Sequence, residues 1–524
     1  MRCLRGRAHP LACCVVLAAL VFAFPACGGL RLSPSSITPA ELLAQFRRAN
    51  TPWFGPDIYH LRYRTVSNEG EVSTSDYYGS GSTAERSDFR TTFMHAGSRV
   101  SRGKISGSRW QQSANGLVLP DADPGTIFDR IVRLAMHRAD PRVRVLGVTQ
   151  SIPNLYVLEV RPNARIFERE FFEKATFLLR KTEIQDYDGR IRTEVYNDYV
   201  QVGKSRLPSR SIYSDNISNQ TLETTLAYVE RLPFKRALLA MPKSRPPFTP
   251  QRPLPAPLNT IFGKRGILVR ADVDGAPYWL EFDSGASGIS LDRGFVQRLG
   301  LREFWKFTDT KGGRYESSAA VLPRMDVGPL YAENLAVGVL PLESREEGVD
   351  VVGLLGCDFI ASVPLAIDFG KETVTALAQP PSSSAGWTAI RTPIQECRPS
   401  IKMQLNGHSA NLLLDFGAED TILNEDVLER LGPDLTQLDT KLITYVGRAP
   451  LEAVQYAVRR AKAGSIDLSP LVATVVKDGR GQDLNNDGVL GRNVLANYRI
   501  VLDYAGQRVL FHKDADAGTP QPDH

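Results

Sequence analysis

The chain contains the stretch Asp283-Ser284-Gly285-Ala286-Ser287 and repeats its pattern 132 residues later as Asp415-Phe416-Gly417-Ala418-Glu419. The preceding residues repeat at the same offset, because 269–275 matches 401–407 without a gap. The sequence therefore carries an internal duplication. We expect two similar lobes, each of which places one Asp on a tight turn.

Each copy shows the same order of predicted elements. An alternating strand ends at Asp274-Gly275 in the first copy and at Asn406-Gly407 in the second, and both dipeptides are typical of hairpin turns. The return strand ends at the Asp, and a glycine two residues later permits a turn that a side chain would obstruct. An apolar run, within 353–360 and again 135 residues later within 488–495, is expected to pass beneath each loop.

Length and charge limit the function classes. At 524 residues the chain is too long for one core, which predicts about three domains. The net charge of +5 is weak for this length, and the absence of a basic, aromatic-rich stripe argues against a nucleic-acid partner.

The seven histidines show no metal-ligand spacing. The calcium-like stretch 483–488 lacks the acid that its twelfth position, Val494, would need. We expect no metal and no organic cofactor.

The N-terminus is typical of a targeting segment. Arg2, Arg5 and Arg7 precede an apolar run over 11–24, and Cys27 follows small residues at a processing site. This site resembles a bacterial lipobox, in which the cysteine is acylated and becomes the mature N-terminus. We therefore expect a membrane anchor on Cys27 and a place in the bacterial cell envelope, on the periplasmic or extracellular side. Ordinary signal cleavage and secretion is the alternative, because the residues before Cys27 depart from the usual lipobox.

Residues 38–235 are predicted to form a separate α+β domain. A helix begins at Thr38-Pro39, a second helix covers 127–138, and Asp188-Gly189 predicts a hairpin turn. Runs with strand-like alternation are 58–67, 91–103, 142–148, 156–160, 175–185, 190–202 and 210–213. This element order resembles the half-barrel of the LolA/LolB-type lipoprotein carriers.

Composition shifts indicate the remaining boundaries. The expected division is a signal peptide at 1–27, the half-barrel domain at 38–235, a proline-rich linker at 236–257, lobe 1 at 258–378, a linker at 379–386, lobe 2 at 387–513 and a polar tail at 514–524. Cys357 and Cys397 lie in the lobes. They could pair in an oxidising compartment, but we expect two buried, unpaired small side chains.

The two lobes resemble the retropepsin-like aspartic peptidases. The stretch 415–423 is similar to the retroviral Asp-Thr-Gly-Ala-Asp-Asp-Thr-Val-Leu, and 491–493 is similar to their Gly-Arg-Asn/Asp. The resemblance implies a mainly β fold of two pseudo-symmetric lobes that pair within one chain, as a monomer. It also implies that Asp283 and Asp415 are catalytic and that the active-site loops contain Ser284, Gly285, Phe416 and Gly417.

The implied activity is an endopeptidase that acts on a peptide or protein substrate. Two adjacent carboxylates cannot both ionise, as is general in aspartic peptidases, so one serves as an acid and the other as a base. The family has Ser or Thr after the catalytic Asp, and its hydroxyl donates to the partner lobe. Ser284 keeps this group, whereas Phe416 cannot supply it. Two alternatives therefore stay open: an inactive, peptide-binding pseudopeptidase, and a carrier of lipid or another apolar ligand through the N-terminal domain.

Two further features follow from the resemblance. Gly312, Gly313 and Gly447 lie where the family has its flap hairpins, and they are either lids over substrate or ordinary solvent-exposed turns. Glu419 and Arg492 occupy positions that form an ion pair in retroviral proteases. We expect them to brace the Asp415 loop, while the lobe 1 counterparts, Ser287 and Cys357, pack close without charge.

Overall fold

A computed structural model of the chain describes residues 32–513, with the exception of 50–54, 82–86, 96–97, 123–125, 138, 149–153, 204, 265, 310–314, 343, 347, 383–385, 433–434, 444–449 and 477–483. The described residues are mainly β structure and form four sheets. No helix among them is long and apolar enough to cross a membrane.

The N-terminal domain is one sheet of 14 antiparallel strands with two helices. The strands are β1 (Leu32–Pro34), β2 (Gly55–Ser67), β3 (Val72–Gly81), β4 (Ser87–His95), β5 (Ser98–Ile105), β6 (Ser108–Gln112), β7 (Val118–Pro120), β8 (Val143–Val148), β9 (Leu155–Val160), β10 (Phe167–Glu173), β11 (Leu179–Gln185), β12 (Ile191–Val202), β13 (Ser205–Asp215) and β14 (Thr221–Leu232). Their order is β1-β8-β9-β10-β11-β12-β13-β14-β2-β3-β4-β5-β6-β7. The helices α1 (Pro39–Ala49) and α2 (Ile127–Ala135) contact β8, which gives the half-barrel expected from the sequence.

Both helices begin at the residues that the sequence indicates. The Thr38 hydroxyl accepts from Glu41 N at 3.2 Å, and the Glu41 carboxylate accepts from Thr38 N at 2.8 Å. Thr126 and Asp129 form the same reciprocal cap on α2. Such caps satisfy backbone N–H groups that the first helical turn leaves without partners. Apolar side chains of both helices, including Leu42 and Phe128, are buried in the core of this domain.

Several predicted strands of this domain need correction. The run 91–103 is two strands, because β4 and β5 pair antiparallel with His95 opposite Ser98. Besides the short strands β1, β6 and β7, the prediction omits the longer strands β3, β10 and β14. Their cross-strand partners lie on both sides, so sheet formation compensates for weak alternation in the sequence. The predicted turn at Asp188-Gly189 is confirmed, since Gly189 has φ +75° and its N–H donates to Asp186 O.

The rest of the chain forms two lobes. The elements from the first linker through lobe 1 are α3 (Arg236–Leu239), β15 (Thr249–Pro250), β16 (Ala256–Pro257), β17 (Thr260–Phe262), β18 (Ile267–Val273), β19 (Ala276–Phe282), β20 (Ser290–Asp292), α4 (Arg293–Arg298), β21 (Phe304–Asp309), β22 (Tyr315–Val327), β23 (Leu330–Leu340), β24 (Ser344–Glu346), β25 (Val349–Leu355), α5 (Cys357–Ile360), β26 (Leu365–Asp368) and β27 (Thr373–Ala376). Those of lobe 2 are β28 (Thr388–Arg391), β29 (Ile394–Gln395), β30 (Arg398–Leu405), β31 (His408–Leu414), β32 (Thr421–Leu423), α6 (Glu425–Leu431), β33 (Leu435–Ile443), β34 (Leu451–Val458), β35 (Ala461–Ala463), β36 (Ile466–Asp467), β37 (Leu471–Val476), β38 (Gly488–Leu490), α7 (Arg492–Leu495), β39 (Arg499–Asp503) and β40 (Arg508–His512).

The lobes repeat one pairing pattern. In lobe 1, β19 pairs in parallel with β25 and β20 with β23; in lobe 2, β31 pairs in parallel with β38 and β32 with β37. The hairpins before the Asp loops are also alike, because Asp274, Gly275, Asn406 and Gly407 all have positive φ. Two successive residues with positive φ favour Asn or Asp followed by Gly. The internal duplication is therefore a structural repeat.

A six-stranded sheet joins the lobes, in the order β16-β27-β26-β39-β40-β28. Within it β26 of lobe 1 pairs antiparallel with β39 of lobe 2, and Leu365 lies opposite Leu502. Both side chains are fully buried in a core that contains residues of both lobes. Lobe pairing within the chain thus rests on a continuous sheet and a common apolar core.

After the short helix α3, the proline-rich segment 236–257 is extended and bound to lobe 1. Its β15 pairs with β23, and its β16 pairs with β27. Directly before β15, Phe248 is 1% exposed and packs edge-on against Phe359 with ring centroids 5.2 Å apart. The segment therefore contributes to the lobe core as well as connecting two parts of the chain.

The expectation of two unpaired cysteines is wrong. Cys357 and Cys397 form a disulfide with Cα atoms 5.8 Å apart. Cys397 lies between β29 and β30 with φ +68°, and Cys357 begins α5. The bond thus joins lobe 2 to the segment that follows the buried strand of lobe 1.

Candidate active site

Each candidate catalytic Asp stands directly after the end of a buried strand. Asp283 follows β19 and Asp415 follows β31. Asp283 N donates to Leu355 O at 3.1 Å, and Asp415 N donates to Leu490 O at 3.1 Å. The predicted apolar runs therefore lie beside the Asp loops and hold them in the same way in both lobes.

The two loops bring their carboxyl groups together. Gly285 N lies 2.8 Å from Asp283 Oδ1 and 3.3 Å from Asp415 Oδ1, so one N–H contacts both side chains. Gly417 N donates to Asp415 Oδ1 at 2.8 Å. This proximity is the geometry that a water-activating pair requires.

Each Asp is followed two residues later by a glycine, because the Asp carboxylate of the other lobe occupies the space that a side chain would need. A Cβ on Gly285 would lie 2.5 Å from Asp415 Oδ2, and a Cβ on Gly417 would lie 2.9 Å from Asp283 Cγ. Neither glycine is among those with positive φ. The requirement therefore comes from the other lobe, and any side chain here would push the two carboxyl groups apart.

The pKa of Asp283 lies well above its usual range. Burial is the largest cause, the neighbouring Asp415 carboxylate is the second and Glu281 is the third, while the hydrogen bond from Gly285 N lowers the pKa. A raised pKa means that Asp283 retains a proton where an ordinary Asp would be ionised. The pair is thus suited to hold one proton between two carboxyl groups.

One hydroxyl group locks the two loops together. The Ser284 hydroxyl donates to Leu414 O at 2.8 Å and accepts from Phe416 N at 3.0 Å. Phe416 offers no hydroxyl in return. Its ring is fully buried and lies 5.7 Å from the Phe282 ring and 6.2 Å from the Phe369 ring. Half of the cross-lobe network is therefore present, and aromatic packing occupies the place of the other half.

Sequence reasoning missed Tyr504, a buried tyrosine of lobe 2 that interacts electrostatically with both Asp side chains. Tyr504 is 4% exposed, and its hydroxyl has no hydrogen-bond partner within the described part of the chain. Burial raises its pKa above the usual range, and the charges of Asp283 and Asp415 raise it further. A signal existed in the sequence, because Asp503-Tyr504 repeats Asp368-Phe369 at the offset of 135. Phe369 is the ring that stacks on Phe416.

The segments that contain Glu419 and Arg492 are in contact. Arg492 N donates to Ala418 O at 2.9 Å, and Asn493 N donates to Glu419 O at 3.0 Å. Arg492 is 8% exposed, and its guanidinium donates to Lys264 O of lobe 1 at 3.3 Å. Glu419 is exposed. The ion pair between them stays a prediction, for which a double-mutant cycle is the measurement.

The corresponding contact in lobe 1 contains no ionisable pair. Cys357 N donates to Ala286 O at 3.0 Å. The Cys357 side chain is bonded to Cys397, and Ser287 is exposed. The backbone contact between the two segments is thus the same in both lobes, whereas the side chains differ.

Four predicted residues lie outside the described part of the chain. Gly312 and Gly313 lie in the sequence between β21 and β22, Gly447 lies between β33 and β34, and Cys27 precedes residue 32. The strands β21 and β22 pair with each other, and so do β33 and β34. Among the described residues, no group of three or more His, Cys, Asp or Glu side chains could hold a metal ion.

The lobes match a known family. The aspartyl protease family model matches residues 269–359 and 401–494, one segment in each lobe and together roughly a third of the 524 residues. This duplicated match confirms the predicted resemblance of both lobes to aspartyl proteases. Among curated proteins, none matches the sequence.

The chain is also similar to solved structures of two kinds. An aspartic proteinase from Irpex lacteus is 14% identical, and the match covers 51% of this chain and 99% of that one with a TM-score of 0.33. A LolA superfamily protein from Nitrosomonas europaea is 12% identical, with coverage of 39% and 99% and a TM-score of 0.28. A putative outer membrane lipoprotein-sorting protein domain from Vibrio parahaemolyticus is 12% identical, with coverage of 37% and 91% and a TM-score of 0.28.

Proposed function

We propose that the chain is an aspartic-type endopeptidase in which Asp283 and Asp415 activate water against a peptide bond. The observation that carries the proposal is the pair of carboxyl groups, one from each lobe, that contact the same Gly285 N–H. The duplicated aspartyl protease match supports it. Neither a metal nor an organic cofactor is needed for this chemistry.

A pair that holds one proton supplies both an acid and a base. With the proton on Asp283, whose pKa is raised, this residue is the acid that donates it to the peptide carbonyl oxygen. Asp415 would be the base that takes a proton from water as the water oxygen bonds to the carbonyl carbon. Asp415 then gives that proton to the peptide nitrogen, and Asp283 takes a hydroxyl proton from the intermediate. The carbon–nitrogen bond breaks, and the pair returns to its starting state.

The experiment is cleavage of an unstructured peptide library by the purified protein under acidic conditions. Asp283→Asn and Asp415→Asn should each lower the rate by about 10²–10⁴-fold or more, because one carboxyl group cannot be both acid and base. Asp272→Asn is the matched control, since this lobe 1 carboxylate lies on the surface. A statine-type transition-state mimic should block cleavage. Retained cleavage by both active-site variants would contradict the proposal.

A pseudopeptidase is the second candidate, and Phe416 is the observation that favours it. Phe416 cannot return the hydrogen bond that Ser284 makes to its N–H, so the Asp415 loop lacks the reciprocal hydroxyl bridge to lobe 1. Binding of the statine-type mimic with no cleavage of any peptide in the library would select this candidate.

A carrier function of the N-terminal domain stays a hypothesis. Glu168 and Glu170 lie on the sheet face that the helices cover. They are the cross-strand partners of Val160 and Leu158, which belong to the apolar core of this domain.

We place the protein in the cell envelope, with a lipid anchor on Cys27. The basic and apolar N-terminal pattern supports this location, and so does the disulfide, because such bonds persist in oxidising compartments. Fractionation of cells that express wild type or Cys27→Ser tests the anchor. Release of the variant from the membrane fraction supports lipidation, and identical soluble distributions indicate simple secretion.

A further inference from the structure

The hairpin between β6 and β7 extends from the N-terminal domain onto lobe 1, beside the Asp283 loop. Its tip residues, Ser113 and Asn115, contact Asp358 of α5. The Ser113 hydroxyl donates to Asp358 Oδ1 at 2.8 Å, and Asn115 Nδ2 donates to Asp358 Oδ2 at 2.7 Å. The same Asn115 amide donates to Ala336 O at 2.9 Å and accepts from Ala336 N at 2.7 Å. The Asn115 side chain therefore makes the two hydrogen bonds to Ala336 that the backbone of a neighbouring strand would make.

Lobe 2 makes the equivalent bond within itself. Asn493 occupies in α7 the position that Asp358 occupies in α5, at the offset of 135. Its Nδ2 donates to Val472 O at 2.9 Å, and its Oδ1 accepts from Thr421 N at 2.9 Å. Asn493 therefore links the Asp415 side of lobe 2 to the segment at the start of β37.

The acceptor carbonyls of the two lobes are equivalent. Gly338 of β23 lies opposite Ser290 of β20, and Thr474 of β37 lies opposite Ile422 of β32. Ala336 and Val472 each stand two residues before that partner. The same carbonyl group therefore receives a side-chain amide in both lobes, from within lobe 2 and from the N-terminal domain in lobe 1.

Lobe 1 has Asp358 where lobe 2 has Asn493, and this difference explains why the amide donor of lobe 1 comes from another domain. An ionised carboxylate accepts hydrogen bonds and cannot donate one, so Asp358 cannot bond the Ala336 carbonyl as Asn493 bonds Val472. Asp358 is also 4% exposed, and a buried carboxylate is costly unless donors reach it. Burial raises its pKa, while Ser113 and Asn115 lower it. The hairpin thus satisfies both the carbonyl group and the carboxylate.

Asp358 is two hydrogen bonds away from the Asp pair. Its neighbour Cys357 donates through its N–H to Ala286 O at 3.0 Å, and Ala286 N donates to Asp283 Oδ1 at 3.0 Å. The residues after the hairpin tip, Leu117 and Leu119, are buried in the core of the two lobes. A change at Asn115 can therefore reach Asp283 through a short, packed route.

We propose that Ser113 and Asn115 are positioning residues of the active site, so that the N-terminal domain completes lobe 1 as Asn493 completes lobe 2. The inference rests on the proposed peptidase function for its catalytic consequence. It assigns the N-terminal domain a part in catalysis, because Ser113 and Asn115 supply to lobe 1 the hydrogen bonds that Asn493 supplies from within lobe 2.

The test compares Asn115→Ala with a matched control, Asn68→Ala. The Asn68 amide also bridges backbone groups, Asn219 O and Thr221 N, but does so within the N-terminal sheet. Asn115→Ala should lower kcat about tenfold, the scale of one lost hydrogen bond to a charged group, with little change in KM. Asn68→Ala should leave kcat unchanged. Equal kcat values for wild type and both variants would overturn the inference.

A rescue separates positioning from general destabilisation. Asp358→Asn gives lobe 1 the amide donor that lobe 2 already has. In the Asn115→Ala background it should recover most of the lost kcat, because the new amide can reach Ala336 O as Asn493 reaches Val472 O. Failure of Asp358→Asn to rescue kcat, with the double variant folded, would overturn the inference. Ser113→Ala is a milder second variant if Asn115→Ala does not fold, and it should lower kcat in the same direction.

Hydrogen exchange distinguishes this inference from the proposed function. Backbone amides of 283–288 should exchange faster in Asn115→Ala than in wild type or Asn68→Ala, and Asp358→Asn should slow them again. This result supports the inference even where wild type cleaves no peptide, in which case only the peptidase proposal fails. Unchanged exchange in Asn115→Ala would overturn the inference whether or not the protein is active.

Discussion

At the residue scale, the Ser284 hydroxyl makes two hydrogen bonds that join the lobes at the active site. This hydroxyl is buried, donates to Leu414 O and accepts from Phe416 N. The sequence predicts the loss of half of this network at Phe416. It does not predict that the Phe416 ring fills the core between Phe282 and Phe369, since those contacts join residues that are distant in sequence.

We expect Ser284→Ala to lower both stability and activity. The substitution leaves a buried carbonyl and a buried N–H without this partner, at a cost of about 1–3 kcal/mol for each group. The loops would also separate more easily, so kcat should fall. Ser287→Ala is the control, because Ser287 is exposed in the same loop and should change the free energy of unfolding by less than about 0.5 kcal/mol. Equal denaturant midpoints for the two variants would contradict this role of Ser284.

The glycines show how far local sequence reasoning extends. The pattern correctly places a glycine two residues after each Asp and predicts a tight turn. The physical reason differs, because Gly285 and Gly417 leave room for the carboxylate of the opposite lobe. A local motif identifies the residue, whereas the constraint exists only when both copies are folded together.

At the element scale, the strand β10 contains two acidic side chains, Glu168 and Glu170, whose charged forms are unfavourable within the half-barrel. Burial raises the pKa of Glu168 to about 8, and the neighbours Glu170 and Asp129 contribute to the shift. Burial, followed by Asp129, raises the pKa of Glu170 to about 7. Sequence alternation did not predict β10 as a strand, because acidic side chains face an otherwise apolar core there. Pairing with β9 and β11 on both sides fixes the strand.

These shifts predict that the N-terminal domain loses stability as pH rises. The usual Glu pKa is 4.5, so each folded carboxyl group binds its proton more tightly than the unfolded one. The stability that this tighter proton binding gives the folded domain is fully present below about pH 4.5. It is lost as pH rises through about 7 for Glu170 and about 8 for Glu168. Glu168→Gln should therefore raise Tm at about pH 9, by about 2–4 °C for each 1 kcal/mol gained in a domain of this size.

The pH dependence separates this effect from a general stabilisation. Glu168→Gln should leave Tm nearly unchanged at about pH 4, where both states are protonated. Glu69→Gln is the control, since Glu69 is exposed in a turn of the same domain and should show no such dependence. Equal effects of Glu168→Gln on Tm at both pH values would show that charge is not the cause.

At the scale of the whole molecule, a shared sheet, a common core and a disulfide hold the lobes together. The duplication in the sequence predicts two lobes that pair, and the β26–β39 pairing and the common core are how they do so. The disulfide could not be predicted from spacing, because Cys357 and Cys397 are 40 residues apart and belong to different lobes. Their proximity depends on how the turn before β30 meets α5. Tertiary contacts, which no local pattern records, decide such pairings.

We expect removal of the disulfide to weaken the two-lobed unit and the active site together. In the chain-entropy description, a bond that closes a loop of about 40 residues contributes about 4 kcal/mol, largely by restricting the unfolded chain. The double variant Cys357→Ala/Cys397→Ala should therefore unfold at a lower denaturant concentration than wild type under non-reducing conditions. Because Cys357 N also donates to Ala286 O beside Asp283, kcat should fall as well.

Reducing agent supplies the control for this prediction. It should shift the wild-type unfolding midpoint to that of the double variant and leave the variant unchanged, since the variant has no bond between these positions to lose. A wild-type protein that unfolds at the same denaturant concentration as the variant without reductant would show that the bond contributes nothing to stability. Loss of kcat in the variant with an unchanged midpoint would assign the disulfide to the geometry of the Asp283 loop alone. The two readouts therefore separate a bond that holds the lobes together from one that positions the catalytic loop.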